Sequence, residues 1–306
     1  MPLPVLTNTQ IIAQLNSGAL WTGTTITYDF PTAPTWITGP NGEVATFTPL
    51  TAAQQLLATL AITLWADIIA KPVQLITQTA GNIGNIDIAA FTAGTNDYAH
   101  TYFPGNGTVW FNNTFDGSVA GFGANNDLLH PSIGLHGFAT YIHELGHAFG
   151  LNHAGNYNAG GATTPSPKSY QDSVVYSIMS YFGPSSGDAI DAATGLHINT
   201  EVAWGNWLGY DAQTPMLNDI LAIQNMYGVS TTTRTGNTVY GFHSTITGSE
   251  ASIYDFTVNG HPVLCIFDSS GFDTIDLSGY SSNSTIDLHS GAFSSCNGMT
   301  NNISIA

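Results

Sequence analysis

The sequence predicts an α+β fold in two parts. Residues 1–230 hold both helix-type and strand-type segments, among them long helices, the pattern of a sheet packed against helices. From Thr231 onward the composition turns to Gly, Ser, Thr, Asn and Asp broken by short apolar runs, which is strand-and-turn sequence. At 306 residues and 43% hydrophobic content, the chain can build one large or two ordinary domains around a real core. We therefore expect one domain over 1–230 and an all-β segment over 231–306.

A short helix is expected around 9–15 and a strand over 25–30. The most apolar long stretch, 51–70, contains Gln54, Gln55 and Asp67, so it reads as a helix packed on one face and not as a membrane span. Strands follow near 86–91 and 107–111, the second supported by the alternation of Thr108, Val109, Trp110 and Phe111. Helices over 135–149 and 214–226 complete the first part. In the second, Thr-Ile-Asp-Leu occurs at 274–277 and again at 285–288, the pattern of a repeating coil. Gly271, Phe272, Asp273, Thr274 and Ile275 match the second half of the nonapeptide G-G-x-G-x-D-x-U-x, whose full repeats bind calcium in parallel rolls. The first half is degenerate, with Asp268, Ser269 and Ser270 ahead of Gly271.

Residues 143–153 read His-Glu-Leu-Gly-His-Ala-Phe-Gly-Leu-Asn-His, filling every fixed position of H-E-x-x-H-x-x-G-x-x-H. His143 and His147 lie on one face of a helix, about 6 Å apart along its axis, so both imidazoles reach one metal ion. Were the helix to continue, His153 would sit about 9 Å further on, whereas zinc holds each nitrogen at about 2.0–2.1 Å. The chain must therefore turn back after His147. Gly150 stands where a left-handed helix end is needed. Three imidazoles leave a fourth position for water or substrate, as catalytic zinc requires. Glu144, beside the first ligand, is placed to take a proton from water whose pKa zinc lowers to about 7. His100, His130, His136, His197, His243, His261 and His289 show no ligand spacing and read as surface or core residues.

Tyr176, Ser177, Ile178, Met179, Ser180 and Tyr181 follow the third histidine, and an extended zinc motif followed by a Met-containing turn resembles the metzincin pattern. In combination the two resemble the serralysin branch, the secreted metalloproteases of Gram-negative bacteria. Segments 156–160, 214–220 with Ala222, Ile223 and Gln224, and 234–242 resemble serralysin segments in the same order, so the resemblance covers nearly the whole chain. One departure is Ala154, where serralysins usually carry proline, and a looser turn is expected there.

The resemblance implies a metzincin zinc-protease domain, with a twisted mixed sheet and long helices, followed by part of a calcium-binding β-roll cut short of the complete repeats. Met179 would lie beneath the metal as an apolar floor. Tyr181 would approach zinc as a fifth ligand and swing to hydrogen-bond the tetrahedral intermediate, a role that suits a phenol. The backbones of Arg234, Gly236 and Thr238, with Asp268, Ser270, Gly271 and Asp273, would surround a calcium ion, although Ser270 replaces a usual glycine and Asn237 a usual aspartate. Substrate proteins or peptides would add along an edge strand just before the active-site helix, taken here as 107–111, by backbone hydrogen bonds. The resemblance further implies a monomer, a proteinaceous periplasmic inhibitor, and type I secretion through a C-terminal signal absent from this sequence. The favoured function is a secreted zinc endopeptidase with Glu144 as general base. A maturation protease dedicated to a surface-layer or adhesin partner shares that chemistry, whereas the intact Glu144 and three histidines argue against an inactive calcium-dependent binding module.

Charge narrows the partners. Lys71, Lys168 and Arg234 are the only strong cations against 20 carboxylates, for a net charge of −17. Nucleic acid and anionic membrane surfaces, both bound by basic residues, are therefore disfavoured, while calcium suits the surplus of oxygen ligands. Met1, Pro2, Leu3 and Pro4 supply neither the basic region nor the apolar core of a secretory signal peptide. Cys265 and Cys296 could form a disulfide in a secreted protein, but serralysins generally lack cysteine, and no bond is expected.

Overall fold

In the computed structural model the described residues are 3–79, 82–157, 167–184 and 205–306. Of the segments read from sequence, 158–160 and His197 lie outside them. Helix α1 (Asn8–Leu15) opens with a capping box, in which Thr7 accepts from the Gln10 N–H and the Gln10 side chain accepts from the Thr7 N–H. Helix α2 (Ala52–Ala66) repeats the device with Thr51 and Gln54. It buries Leu60, Ala61, Leu64 and Trp65 and is shorter than the 51–70 expected. Pro72 ahead cannot continue a helix, and the Ala70 N–H goes instead to Gly228 O at 2.9 Å.

One sheet comprises β1 (Ile26–Asp29), β2 (Phe47–Thr48), β3 (Val73–Leu75), β4 (Ile86–Phe91), β5 (Ala99–Thr101) and β6 (Thr108–Asn112). Its order is β3-β1-β4-β6-β5, with β2 on β4; β2 and β5 pair antiparallel and the other pairs are parallel. The edge strand on the side of the active-site helix motif is therefore β5, a correction to the sequence reading, which gave that role to 107–111. β6 is interior and buried at all of its five residues. Phe111 stacks on Tyr141 at 3.8 Å between ring centroids, while Trp110 packs edge-on to Phe47 and Phe91 on the other face. The alternation in its sequence thus serves two covered faces.

Helix α3 (His136–Ala148) packs against α2, and Trp65 Nε1 donates to Ile142 O at 3.0 Å. Helix α4 (Leu217–Tyr227) lies against α1 and starts three residues later than the expected 214. Beyond it come β7 (Val239–Gly241), α5 (Ala251–Tyr254), β8 (Leu264–Ile266), β9 (Thr274–Asp276), β10 (Phe293–Ser294) and β11 (Ile303–Ile305). β7 pairs parallel with β9, and β8 parallel with β11, the connectivity of a coil. The two Thr-Ile-Asp-Leu copies are not equivalent: the first forms β9, whereas the second contributes only a bridge from Thr285 to Ser295 and leaves Ile286 and Leu288 exposed. Cys265 and Cys296 are free and buried. A continuous apolar core runs from Ile11 to Ile303, and no helix of the described residues is long and apolar enough to cross a membrane.

Asp29 on β1 and Asp87 on β4 are register partners, and both are buried. Asp29 accepts from the Gly84 N–H at 2.7 Å and from Gln78 at 3.1 Å, but Asp87 Oδ1 has no donor. Burial, and then the neighbouring Asp29 charge, push the Asp87 carboxyl up to about 8; burial also raises Asp29. A raised carboxyl stabilises the fold fully below its ordinary value, and that contribution is lost as pH rises through the raised one. The window therefore runs from 3.8 to about 8. Asp87→Asn supplies an N–H donor toward Asp29 at every pH. Its thermal midpoint should gain on wild type across that window and level off above it; a constant difference would rule out a shared proton.

Candidate metal centre

His143 and His147 stand one turn apart on α3, which ends at Ala148. Gly150 then takes φ +105, where a Cβ would lie 2.3 Å from Ala19 O, so only glycine turns the chain here. The Asn152 N–H bonds Leu15 O at 2.6 Å and the chain returns with His153. His153 Nε2 sits 3.3 Å from His143 Nε2 and 3.0 Å from His147 Nε2.

The second nitrogen of each ring defines the tautomer. Nδ1 of His143 faces Ile178 O at 2.8 Å, that of His147 faces Leu151 O at 2.6 Å, and that of His153 faces Tyr157 O at 2.8 Å. A carbonyl only accepts, so each Nδ1 carries the proton and each Nε2 presents a lone pair. The close Nε2 contacts are therefore three lone pairs converging on one point and not hydrogen bonds. Burial, reinforced by the neighbouring rings, holds His143 well below the ordinary imidazole range and His147 down at about 3. A tetrahedral ion with bonds of about 2.0–2.1 Å needs nitrogens roughly 3.3 Å apart, so the donor set fits zinc. Among the described residues this is the one cluster of three or more His, Cys, Asp or Glu side chains able to hold a metal ion.

Glu144 is buried, and Oε2 accepts from the Thr101 hydroxyl at 2.8 Å. Burial pushes its carboxyl up to about 7 against that hydrogen bond. Met179 is fully buried with its sulfur against Gly146, where any Cβ would lie 2.5 Å from it. Tyr181 is partly exposed, its ring centroid 4.5 Å from that of His153 and 6.1 Å from that of His143. The looser turn expected at Ala154 is tied down, since the Ala154 N–H donates to Met179 O at 3.1 Å.

Two clefts adjoin the triad. One, of about 550 Å³, is lined by His143, Glu144, Tyr181, Ala139, Val174 and Ile178 among others; a second, of about 350 Å³, by His147, His153, Thr101, Phe103, Gln14 and Tyr157 among others.

Four supporting residues escape a reading of the sequence. Asp219 of α4, fully buried, accepts from Ser177 Oγ at 2.5 Å and from the Ile178 and Met216 N–H groups at 2.7 and 2.8 Å. Asp172, also fully buried, accepts from Tyr157 Oη at 2.7 Å and Ser180 Oγ at 2.9 Å. The other two are Tyr157, whose carbonyl faces His153 Nδ1, and Thr101, whose hydroxyl donates to Glu144. Among the described residues, the histidines set aside by spacing give no nitrogen to the triad: His100 bridges Glu43 and Asp97 at 2.8 Å each, His130, His243 and His289 pair with nearby aspartates, His261 stacks on Tyr210, and His136 stacks on Tyr98 and lines the cleft that His143 and Glu144 share.

The residues expected around calcium lie in two adjacent loops. Asp273 Oδ1 accepts from the Thr238 N–H at 2.9 Å, Asn237 Oδ1 from the Phe272 N–H at 3.0 Å, and Thr235 O from Ser270 Oγ at 3.3 Å. Gly271, at φ +136, has no room for a Cβ, which would lie 2.3 Å from Gly236 O. Asp268 accepts from the Ser270 N–H and from Tyr240 Oη. The Arg234 guanidinium grips Asp67 and Glu250 at 2.7 Å each, and its backbone takes φ 49. Asp273 Oδ2 and the carbonyls of this loop are hard oxygen donors of the kind calcium takes.

Comparison with known proteins gives two family matches, "Peptidase M10 serralysin C terminal" over residues 229–306 and "Metallo-peptidase family M12B Reprolysin-like" over residues 76–204. Serralysin A of Dickeya chrysanthemi is 35% identical over 276 residues, covering 87% of this chain and 52% of that protein. Metallopeptidase AprA of Pseudomonas marginalis is 32% identical over 292 residues, covering 92% of this chain and 56% of that protein. The chain spans about half the length of the curated relatives it matches.

Proposed function

Because the chain belongs to the serralysin-type metallopeptidases, we propose that it is a secreted zinc endopeptidase, with residues 1–230 as catalytic domain and 231–306 as a calcium-binding β-roll-type segment. The observation that carries this reading is the convergence of three Nε2 lone pairs beside a buried carboxylate. His143, His147 and His153 would hold the ion. Zinc, when bound, acidifies water to a pKa near 7 and polarises a carbonyl. Glu144 takes the proton from the attacking water and hands it to the leaving amine. Tyr181 donates its phenolic hydrogen to the developing oxyanion, and Met179 supplies an apolar floor. The substrate chain lies along β5, which pairs with β6 on one side and, among the described residues, has no strand on the other. The test is digestion of casein with and without a chelator, alongside metal analysis. One zinc per chain, and activity lost on chelation and restored by zinc, are expected; a protein that binds no zinc on reconstitution would overturn the reading.

Tyr181→Phe removes only a hydroxyl. Zinc content should hold while kcat falls roughly 10- to 1,000-fold if that hydroxyl stabilises the oxyanion. A change confined to KM would assign Tyr181 to substrate binding instead.

Calcium is expected to stabilise the segment after 230 without entering the chemistry. An ion bound only by the folded state adds about 2.7 kcal/mol at a hundred times its Kd, so the thermal midpoint should climb with calcium. Asp273→Ala should shrink that climb and leave zinc content unchanged. Identical wild-type melts in excess calcium and in a calcium-selective chelator would remove the site.

A further inference from the structure

We propose that Thr101 is a positioning residue for the general base: its hydroxyl fixes one oxygen of Glu144 so that the other faces the attacking water. The inference rests on the role given to Glu144 above. Thr101 Oγ1 lies 2.8 Å from Glu144 Oε2. An ionised carboxylate only accepts, so the hydroxyl donates. Among the described residues this is the one hydrogen bond to the Glu144 side chain. Among the described residues Oε1 has no donor, and it is the oxygen left to the cleft that Glu144 lines. One oxygen is anchored and one is available, the division a base needs if it is to meet water at a repeatable angle.

The anchor is itself held. Thr101 pairs with Val109 in the β5–β6 ladder, and threonine is stiff about χ1. The pleat turns Ala99 and Thr101 to one face and His100 to the other. There the His100 ring is gripped by Glu43 and Asp97 at 2.8 Å each, and Tyr102 Oη also donates to Glu43, at 2.6 Å. With both ring nitrogens on carboxylates, His100 clips the outer strand to the segment carrying Glu43. Phe103 lies edge-on to His147 at 5.7 Å. The strand that offers its edge to substrate therefore also orients the base, and it cannot drift without moving both.

Thr101→Val keeps the branched shape and deletes the hydroxyl; Thr101→Ser keeps the hydroxyl. Misplacement of a reacting group costs up to about 100-fold, so the Val protein should lose roughly 10- to 100-fold in kcat with KM within about twofold, and the Ser protein should recover most of the loss. Zinc content should match wild type in both. A Val protein with unchanged kcat, a loss confined to KM, or a Ser protein as impaired as Val each overturns the proposal. A second measurement needs no turnover. Thermal midpoints of metal-free wild type, Thr101→Val, Glu144→Ala and the double variant form a cycle, in which a real bond makes the two effects non-additive; strict additivity also overturns the proposal. Failure of wild type to digest protein would instead count against the proposed function and leave this cycle as the arbiter of the Thr101 contact.

Discussion

Glu144→Gln is expected to retain one zinc and to lose proteolysis by at least 10²–10⁴-fold, the range for a positioned proton carrier. At 1.36 kcal/mol per decade this raises the barrier by about 3–5 kcal/mol. The amide has nearly the carboxylate's shape and can still accept from Thr101, so the variant isolates proton transfer from packing. Burial pushes the Glu144 carboxyl up to about 7. A bound cation nearby would pull that value down again. Single-turnover rates on a peptide, with metal content measured on the same samples, decide the matter. A Gln protein within tenfold of wild type would remove Glu144 from the proton path and leave the centre acting by polarisation alone.

The parts legible in the sequence are those whose geometry is local. His143, His147, Gly150 and His153 fall within one helix end, so residue spacing translates into atomic distance, and the α+β class and the family follow. Helix starts were also written locally, in Thr7 with Gln10 and Thr51 with Gln54, although the expected bounds did not use them. The edge strand was not legible. β5 has only Ala99, His100 and Thr101, with no apolar alternation to set it apart from a loop, whereas β6 reads as a strand wherever it sits in the sheet. The supporting carboxylates were hidden for another reason. Asp219 meets Ile178 across 41 residues and Thr101 meets Glu144 across 43, and neither type is rare enough at its position to signal a partner that distant.

The Thr-Ile-Asp-Leu pair shows the limit of repeats as a guide. Identical tetrapeptides have different fates because only the first finds β7 alongside. Strand formation in a coil depends on the neighbouring turn, and four residues do not specify it.

The second large effect is expected at Asp219→Ala. This carboxylate joins two pieces of chain: it caps α4 through the Met216 N–H, and it holds the turn before Met179 through Ser177 Oγ and the Ile178 N–H. The same Ile178 offers its carbonyl to His143 Nδ1 at 2.8 Å, so the residue that Asp219 fixes in turn sets the tautomer and angle of His143, one of the proposed metal ligands. Burial raises the Asp219 carboxyl to about 6, and the hydrogen bonds it accepts from Ser177, Met216 and Ile178 act against that rise. Alanine strands three donors, at least two of them backbone, in a site where no side chain replaces them. Each buried donor left unpaired costs about 1–3 kcal/mol, and the loss of the whole network on the order of 3–5 kcal/mol. Removing a partner outside the ligand shell also weakens metal affinity by about 10- to 100-fold. Asp219→Asn keeps an acceptor for the backbone groups and should retain a good part of both quantities. Metal-free thermal unfolding and a zinc titration on the three proteins separate the two effects. An Ala protein that melts with wild type and binds zinc as tightly would show that the turn holds its shape through Met179 packing alone, with Asp219 merely buried beside it.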